Sequence, residues 1–295
     1  MSGAEARVGW FVGLTTLDVV HRSTGRPGPD QKVTATRQDV AAGGPAANAA
    51  VTAAALGVRA VLVTALGAGP VATAARADLE AHGVEVVDVV PPGEDYPLAV
   101  SAVLVDDATG ERSVVSADAA LAAAPAPAPS RLAALPGPGV VLLDGHHPAI
   151  ARAVVARLTA LEPRPQVVLD GGRWRPVFGD LLPVADVAAL SAVFTVPGHD
   201  DAAAGARALG ARAVVVTHGP EPVEWLDGDA SGTVEVPPVR ARDTLGAGDA
   251  FHGAIAAAVA RRPGSLEDAC AEAVRVAGTR VAHVGPRSWL THLAD

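Results

Sequence analysis

Short apolar runs alternate along this chain with alanine-rich stretches that favour helix. An unbroken apolar run is typical of a strand buried on both faces, and helical crossovers between such strands produce a parallel sheet. The alternation therefore predicts an α/β fold with a central, mostly parallel sheet and helices on both faces. The predicted strands are Val8 to Val12, Ala60 to Leu66, Val140 to Leu143, Val167 to Leu169 and Ala213 to Thr217. The predicted helices are Pro45 to Leu56, Val71 to His82, Pro148 to Leu161, Asp200 to Leu209, Ala247 to Arg262 and Leu266 to Val284.

Two segments, residues 13–40 and 94–117, interrupt this alternation because they are polar or β-rich and have no helical period. In the second segment, the runs Leu98 to Val105 and Arg112 to Ser116 flank the turn-forming residues 106–110. We expect a β-hairpin there.

The charge of the chain argues against polymeric anions as partners. With a net charge of −9, there is no basic face to bind nucleic acid or an anionic membrane. No apolar run is long enough to span a membrane, and the first residues lack the basic and apolar regions of a secretory signal. Cys270 is the single cysteine, so no internal disulfide can form. These features predict a cytoplasmic protein with small-molecule partners.

Lysine is almost absent, which limits how the chain could bind phosphate. Lys32 is the only lysine among 23 basic residues, and the P-loop motif G-x-x-x-x-G-K-[ST] does not occur. A phosphate ligand would therefore have to be held by backbone N–H groups, arginine and metal.

The strongest chemical signal is the segment 243–251, DTLGAGDAF, which precedes an alanine-rich helical run. Gly246 to Gly248 should lie at the N-terminus of that helix, where free N–H groups and the helix dipole favour a phosphate or another anion. A carboxylate beside such a site repels an anionic ligand, so its presence there indicates a function. For Asp249, that function would be to accept the proton of a hydroxyl that attacks phosphorus. The alternative is an ordinary glycine-rich turn with Asp249 as a helix cap.

A second glycine-rich motif, GGPAANAA at residues 43–50, lies ahead of another alanine-rich run. With both motifs in this order, the chain resembles the ribokinase-like (PfkB-type) carbohydrate kinases, which carry GG-x-x-x-N early and DT-x-GAGD-x-F late. The resemblance covers essentially the whole chain and implies one kinase domain over residues 1–295 with the three-layer fold of that family. It also implies that strands from about 13–40 and 94–117 form a small β-sheet lid over the sugar, through which the chain would pair as a homodimer.

On the sugar side, the pattern is nearest to ketohexokinase-like and fructokinase-like members of the family. The resemblance implies that one set of residues binds the sugar hydroxyls: Asp18, Asp30, Gly43, Gly44 and Asn48. Pro45 replaces an asparagine of that branch, which removes one sugar contact. For Asp18 and Asp30, the alternative is a solvated carboxylate in a loop.

On the nucleotide side, the resemblance implies binding of ATP with Mg²⁺ by a further set of residues: Arg112, Thr217, Gly219, Thr244, Gly246 and Gly248. Arg112 corresponds to a lid arginine that reaches the ATP phosphates, although an isolated surface arginine would look the same in sequence. Gly246, Ala247 and Gly248 would form the anion hole. Asp243 corresponds to part of a loop that binds a monovalent cation such as K⁺.

One departure from the family pattern concerns the metal. Most members have an N-x-x-E motif that organises the water shell of magnesium, but residues 186–194, DVAALSAVF, contain neither Asn nor Glu. Asp170 ends a predicted strand and could supply a carboxylate to the metal or belong to a turn. His146 and His147 lack a third ligand at supporting spacing, so a strand-end loop is the simpler interpretation. His252 would lie behind the groups that contact substrate.

These features together predict an ATP-dependent sugar kinase that transfers the γ-phosphoryl group to a hydroxyl of a small monosaccharide. A nucleoside or sugar-acid kinase on the same fold stays open, since the lid segment is apolar and Arg22, Arg173 or Arg175 could pair with a carboxylate. A non-catalytic sugar or nucleotide sensor is the alternative from another class, because the N-x-x-E motif is missing. A dinucleotide-dependent oxidoreductase is disfavoured, since no G-x-G-x-x-G follows the first strand.

Overall fold

A computed structural model of the chain describes residues 7–261 and 264–293. Within them, the strands form two separate sheets. In chain order the strands are β1 (Val8–Val12), β2 (Thr16–Ser23), β3 (Arg37–Gly43), β4 (Arg59–Thr64), β5 (Val84–Asp88), β6 (Val100–Asp106), β7 (Arg112–Val115), β8 (Val140–Leu143), β9 (Gln166–Gly171), β10 (Val187–Ser191), β11 (Ala213–His218), β12 (Glu221–Asp227) and β13 (Ala230–Val234).

The larger sheet has the strand order β13-β12-β11-β10-β9-β8-β1-β4-β5 in the described part of the chain. Every pair from β11 to β5 is parallel, whereas β12 and β13 extend one edge as an antiparallel hairpin. Parallel strands bring their carboxyl ends to one edge of a sheet, and ligands of such folds bind there. The predicted mostly parallel sheet is confirmed.

Helices cover both faces of this sheet and give the predicted three layers. The helices are α1 (Pro45–Ala55), α2 (Pro70–Ala81), α3 (Pro129–Ala133), α4 (Pro148–Leu158), α5 (Phe178–Leu181), α6 (Ala202–Ala208), α7 (Ala247–Arg261) and α8 (Leu266–Ala282). Phe11 of β1 faces a core formed with α1, α2, α7 and α8, whereas its neighbours Trp10 and Val12 face a core formed with α3 to α6. In the described ranges, no helix is both long enough and apolar enough to cross a membrane.

The smaller sheet has the order β3-β2-β6-β7 among the described residues. Strands β2 and β6 are parallel, and the hairpin of β6 and β7 is antiparallel as predicted. Strand β3 continues past residue 40 to Gly43, beyond the predicted range. Because α1 begins two residues later at Pro45, this small sheet leads directly into the GGPAAN motif.

Most predicted strands and helices are confirmed, with ends that differ by a few residues. The predicted end of α7 at Arg262 lies outside the described residues, and α8 ends at Ala282 rather than Val284. Strands β5, β12 and β13 were not predicted. They lie at the two edges of the sheet, where polar residues interrupt the apolar run. Strand β10 was also missed because its sequence, VAALS, suits a helix equally well.

Helices α1 and α7 lie in close contact. Gly253 of α7 faces α1, where a Cβ atom would lie 2.6 Å from the carbonyl oxygen of Ala49 and 2.8 Å from the Cβ of Thr52. Any side chain at residue 253 would therefore force the two helices apart. The closeness matters for the site, because α1 carries Asn48 and α7 carries Asp249.

We expect Gly253→Ala to destabilise the protein although alanine is the better helix former. Overpacking costs about 1–3 kcal/mol, against a gain in helix propensity of about 1 kcal/mol. Chemical denaturation measures the net change. Gly278→Ala in α8 is the matched control, since its Cβ would meet Val239 at an ordinary 3.6 Å. A Gly253→Ala protein as stable as the Gly278→Ala protein would contradict the expectation.

Candidate active site

The two glycine-rich motifs meet in the folded chain. Asn48, in the first turn of α1, donates a hydrogen bond from Nδ2 to Oδ2 of Asp249 at 2.8 Å. Asp249 lies in the first turn of α7, which begins at Ala247. The first N–H groups of a helix have no acceptor inside it, so the N-terminus of α7 presents donors and a positive dipole end beside this carboxylate.

Arg287 fixes the orientation of the Asn48 amide. Its Nη1 donates to Oδ1 of Asn48 at 3.1 Å, while its Nη2 donates to Asp78 at 2.8 Å and to the carbonyl of Ala42 at 2.6 Å. A guanidinium group can only donate. The oxygen of Asn48 must therefore face Arg287, and its NH₂ group must face Asp249. Nothing in the sequence patterns indicated Arg287.

The environment of Asp249 suits a general base. Its side chain is partly accessible at the site but closely surrounded by protein. This burial and the negative charge of Asp170 raise the pKa of Asp249 to about 6, although the Asn48 hydrogen bond acts in the opposite direction. A base with a pKa near the working pH accepts protons efficiently and is still ionised at neutral pH.

Asp170 and His252 form a buried pair next to Asp249. Asp170 lies at the carboxyl end of β9, and its Oδ1 lies 2.9 Å from Nδ1 of His252. Both side chains are 5% exposed. The sequence left open whether Asp170 belonged to a turn, and it placed His252 behind the contact groups. The fold brings both close enough to Asp249 for their charges to act on its carboxylate.

Asp144 organises the backbone around the first motif. This buried residue follows β8 and accepts hydrogen bonds from the N–H groups of Leu14 (2.8 Å), Ala46 (3.1 Å) and His146 (2.9 Å). Burial opposes its ionisation, but the nearby His146 and these N–H donors prevail and lower the pKa of Asp144 to about 2. His146 is therefore the partner of a structural carboxylate, which agrees with the strand-end interpretation.

Asp18 lies beside the first motif, as the resemblance implies. It accepts a hydrogen bond from Thr16 at 2.7 Å, and burial raises its pKa. A Cβ at Gly43 would overlap the Asp18 carboxylate, and Gly44 has φ of 96° with no room for a Cβ against the carbonyl of Leu14. Both positions therefore need glycine.

One small cavity touches residues from both motifs. Asp18, Asn48, Gly246 and Arg287 are among its lining residues. Asp30, in contrast, lies in an exposed turn of the β2–β3 connection with φ of 56°. The fold thus brings Asp18, Asn48 and the glycine-rich loop together and leaves Asp30 on the outer surface.

The predicted nucleotide residues fall into two groups. Nη1 of Arg112, at the start of β7, donates to Oγ1 of Thr244 at 2.9 Å. The same hydroxyl lies 3.3 Å from the carbonyl of Gly110 in the β6–β7 turn, so the hairpin contacts the DTLGAGD loop directly. Thr217 and Gly219 lie instead at the carboxyl end of β11 and in the turn that follows it.

Asp243 is buried and saturated with partners. Its carboxylate accepts from the N–H groups of Leu245 (3.1 Å) and Gly285 (3.0 Å). It also lies 3.4 Å from Nη2 of Arg280 and 3.7 Å from Nη1 of Arg22. Two guanidinium groups thus balance its charge, and together these contacts anchor the start of the glycine-rich loop.

A metal held by protein groups alone does not fit the described residues, because they contain no group of three or more His, Cys, Asp or Glu that could bind one. Where the N-x-x-E motif was expected, β10 ends at Ser191.

Comparison with known proteins agrees with this geometry. A model of the pfkB family of carbohydrate kinases matches residues 10–292. The fold is similar to that of a putative ribokinase from Agrobacterium tumefaciens, with a TM-score of 0.80 and 25% identity over 98% of this chain and 97% of that one. It is also similar to ribokinase from Arabidopsis thaliana, solved with ribose and ATP, with a TM-score of 0.73 and 21% identity over 99% and 100% of the two chains.

The fold and the two converging motifs thus define a carbohydrate kinase of the ribokinase-like class. The chain belongs to the pfkB family of carbohydrate kinases.

Proposed function

We propose that this protein is an ATP-dependent kinase that phosphorylates a hydroxyl group of a small monosaccharide. The observation that carries the proposal is the meeting of Asn48 and Asp249 at the N-termini of α1 and α7. The first motif supplies Asn48, a polar group for a sugar, and the second supplies Asp249 as a base together with an anion site. A single hydrogen bond joins Asn48 and Asp249.

In the proposed reaction, the sugar hydroxyl attacks the γ-phosphorus of ATP. The bond from that phosphorus to the bridging oxygen breaks, ADP leaves, and the hydroxyl proton passes to Asp249. The N–H groups of Gly246, Ala247 and Gly248 would stabilise the negative charge that spreads over the transferring oxygens. Their position at the N-terminus of α7 supports this role, although the N–H of Ala247 would have to give up a long 3.4 Å hydrogen bond to the carbonyl of Thr244.

We assign the binding of the sugar to Asp18, Gly43, Gly44 and Asn48. Asp18 and Asn48 line the same cavity, and Gly43 lies directly against the Asp18 carboxylate, which supports the assignment. Asp30 is the weakest of the predicted contacts, because its turn would have to move for the carboxylate to reach that cavity. A lid that closes over the site would exclude water, which would otherwise accept the phosphoryl group.

For ATP we propose Arg112, Thr217, Gly219, Thr244 and the glycines of the loop. Arg112 already contacts Thr244, so a small side-chain movement would bring its charge to a phosphate. Magnesium bound to the nucleotide would neutralise phosphate charge. A monovalent cation near Asp243 would have to compete with Arg22 and Arg280, and comparing activity in potassium and in an organic cation tests that need.

We also propose that the protein is a homodimer that pairs through the small sheet. Valines on this sheet are exposed: Val40, Val100, Val114 and, at 76%, Val115. Exposed apolar strands are a typical pairing surface. The mass of the protein in solution is the test.

A sugar-acid kinase is less well supported. Of the arginines suggested for a substrate carboxylate, Arg22 is buried and lies 2.7 Å from Asp107. Arg173 and Arg175 both lie 4.0 Å from Asp118.

The decisive experiment measures ADP release with ketoses, aldoses, sugar acids and nucleosides as acceptors. Turnover with one class names the substrate, whereas saturable binding without turnover would support a sensor.

The pKa of Asp249 leads to a defined pH dependence. The base acts in its ionised form, so we expect kcat/KM to fall as pH decreases through about 6. Measuring kcat/KM between pH 5 and pH 8 checks this. We call this fall of kcat/KM at low pH the acid limb. The residual activity of Asp249→Asn should lack it. An acid limb near pH 4, the ordinary value of an aspartate, would contradict the proposed environment of the base.

A further inference from the structure

The buried pair of Asp170 and His252 has no role in the proposed reaction, yet it is costly to bury. Oδ2 of Asp170 and both ring nitrogens of His252 are buried without a hydrogen-bond partner of good geometry among the described residues. Buried polar atoms in this condition destabilise a fold. The 2.9 Å separation of Oδ1 and Nδ1 places a carboxylate against an imidazole inside the protein. The two form an ion pair when His252 is protonated.

The pair is placed so that its charge acts on Asp249. His252 follows Asp249 by three residues on α7 and so lies on the same side of the helix. Asp170 approaches from β9, which packs against α7. Of all neighbouring charges, that of Asp170 acts most strongly on Asp249.

Two carboxylates in one buried site cannot both ionise easily, so one of them retains a proton unless a cation is near. Burial favours neutral His252, but the charges of Asp170 and Asp249 outweigh burial and raise its pKa. A cationic imidazole would cancel the charge of Asp170 and relieve Asp249 of that repulsion.

We propose that His252 balances the charge of Asp170 and thereby keeps Asp249 ionised when a substrate hydroxyl binds beside it. Both are then positioning residues, because they act through Asp249 and need not touch substrate. The inference rests on the proposed function, since it assumes that Asp249 is the base of a phosphoryl transfer.

Other charged groups near Asp170, His252 and Asp249 also influence the pKa of Asp249. Asp18 from β2 adds a negative charge to the surroundings of Asp249, and Arg280 from α8 adds a positive one. His146, after β8, interacts with Asp170. Each of these groups is unchanged in the variants below, so differences between variants report on the pair.

The test compares His252→Asn, Asp170→Asn and the double variant, with Asp180→Asn as control. Asp180 pairs with Arg152 on the surface, where both side chains are more than half exposed. The first readout is the acid limb of kcat/KM. We expect His252→Asn to move it to higher pH by about one unit, and Asp170→Asn to move it lower by a similar amount. The double variant should return close to the wild-type limb, and the control should not move it.

A second readout does not depend on activity. Titration of ¹³C-labelled aspartate carboxyl groups, with Asp249 assigned by loss of its signal in Asp249→Asn, gives the pKa of Asp249 directly. This pKa should rise in His252→Asn and fall in Asp170→Asn, as the acid limb does. If the wild type transfers no phosphoryl group, the proposed function fails, while this titration still decides whether the pair controls Asp249.

The outcomes are distinct. A pKa of Asp249 that is unchanged by both single variants, or that moves in the same direction in both, would overturn the proposal. If His252→Asn does not fold, His252→Gln and Asp170→Asn provide the same comparison. A lower kcat at every pH, with an unmoved limb, would mean that the pair has only a structural role.

Discussion

Replacing Asp249 with asparagine should lower kcat about 100- to 10,000-fold, the usual contribution of a general base. Asparagine has nearly the same shape, so the Asn48 contact and the N-terminus of α7 should persist. What is lost is the ability to accept the hydroxyl proton. The measurement is steady-state ADP release at pH 8, where a carboxylate with a pKa of about 6 is ionised.

The affinity for ATP separates this effect from a general loss of structure. Isothermal titration should give similar Kd values for the wild type and Asp249→Asn, and Asp180→Asn should match the wild type in both assays. A reduction in kcat of less than tenfold would show that another group takes the proton. A large loss of ATP affinity would instead place Asp249 among the groups that hold the nucleotide site together.

Replacing Asp243 with alanine should reduce the free energy of unfolding by about 3–5 kcal/mol, as when one partner of a buried ion pair is removed. Arg280 is 3% exposed and would lose its carboxylate partner, while Arg22, 5% exposed, would keep only its pair with Asp107. The N–H groups of Leu245 and Gly285 would also lose their acceptor. Urea denaturation of the full chain measures the change.

Asp180→Ala is the matched control, since it removes an aspartate from an exposed pair with Arg152. Such surface pairs contribute about 0–1 kcal/mol. If Asp243→Ala lost no more stability than this control, the remaining acceptors of the two arginines, Asp107 for Arg22 and the carbonyl of His283 for Arg280, would be sufficient for their burial, and the expectation would be wrong. Activity should fall together with stability, because the glycine-rich loop that leads to Asp249 begins at Asp243.

The sequence was sufficient to predict the groups that sit in local motifs. Asn48, Gly246 and Asp249 could be placed because a glycine-rich turn followed by a helix determines its own geometry. The alternation of apolar and alanine-rich runs predicted the inner strands for a similar reason. Asp18 needed the family resemblance, since nothing in its surrounding sequence distinguishes it from a loop carboxylate.

Other residues of the site could not be predicted because their neighbours come from distant parts of the chain. Asp170 reaches Asp249 only because β9 and α7 pack together. Arg287 reaches Asn48 across 239 positions. Asp30 is a different case, since its spacing fits a family pattern while its turn lies exposed on the surface, and its role stays a prediction.

The contact of α1 with α7 has a consequence for redesign of the protein. Asp249 and the amide of Asn48 beside it are carried on two helices held at a spacing that only glycine at residue 253 permits. The four-stranded sheet, in contrast, meets the surrounding segments at Gly43, which precedes α1, and at the hairpin turn, where the carbonyl of Gly110 lies 3.3 Å from the hydroxyl of Thr244. We therefore expect that residues of the small sheet other than Asp18 and Arg112 can be varied to accept new acceptor molecules, while the distance between Asn48 and Asp249 stays the same.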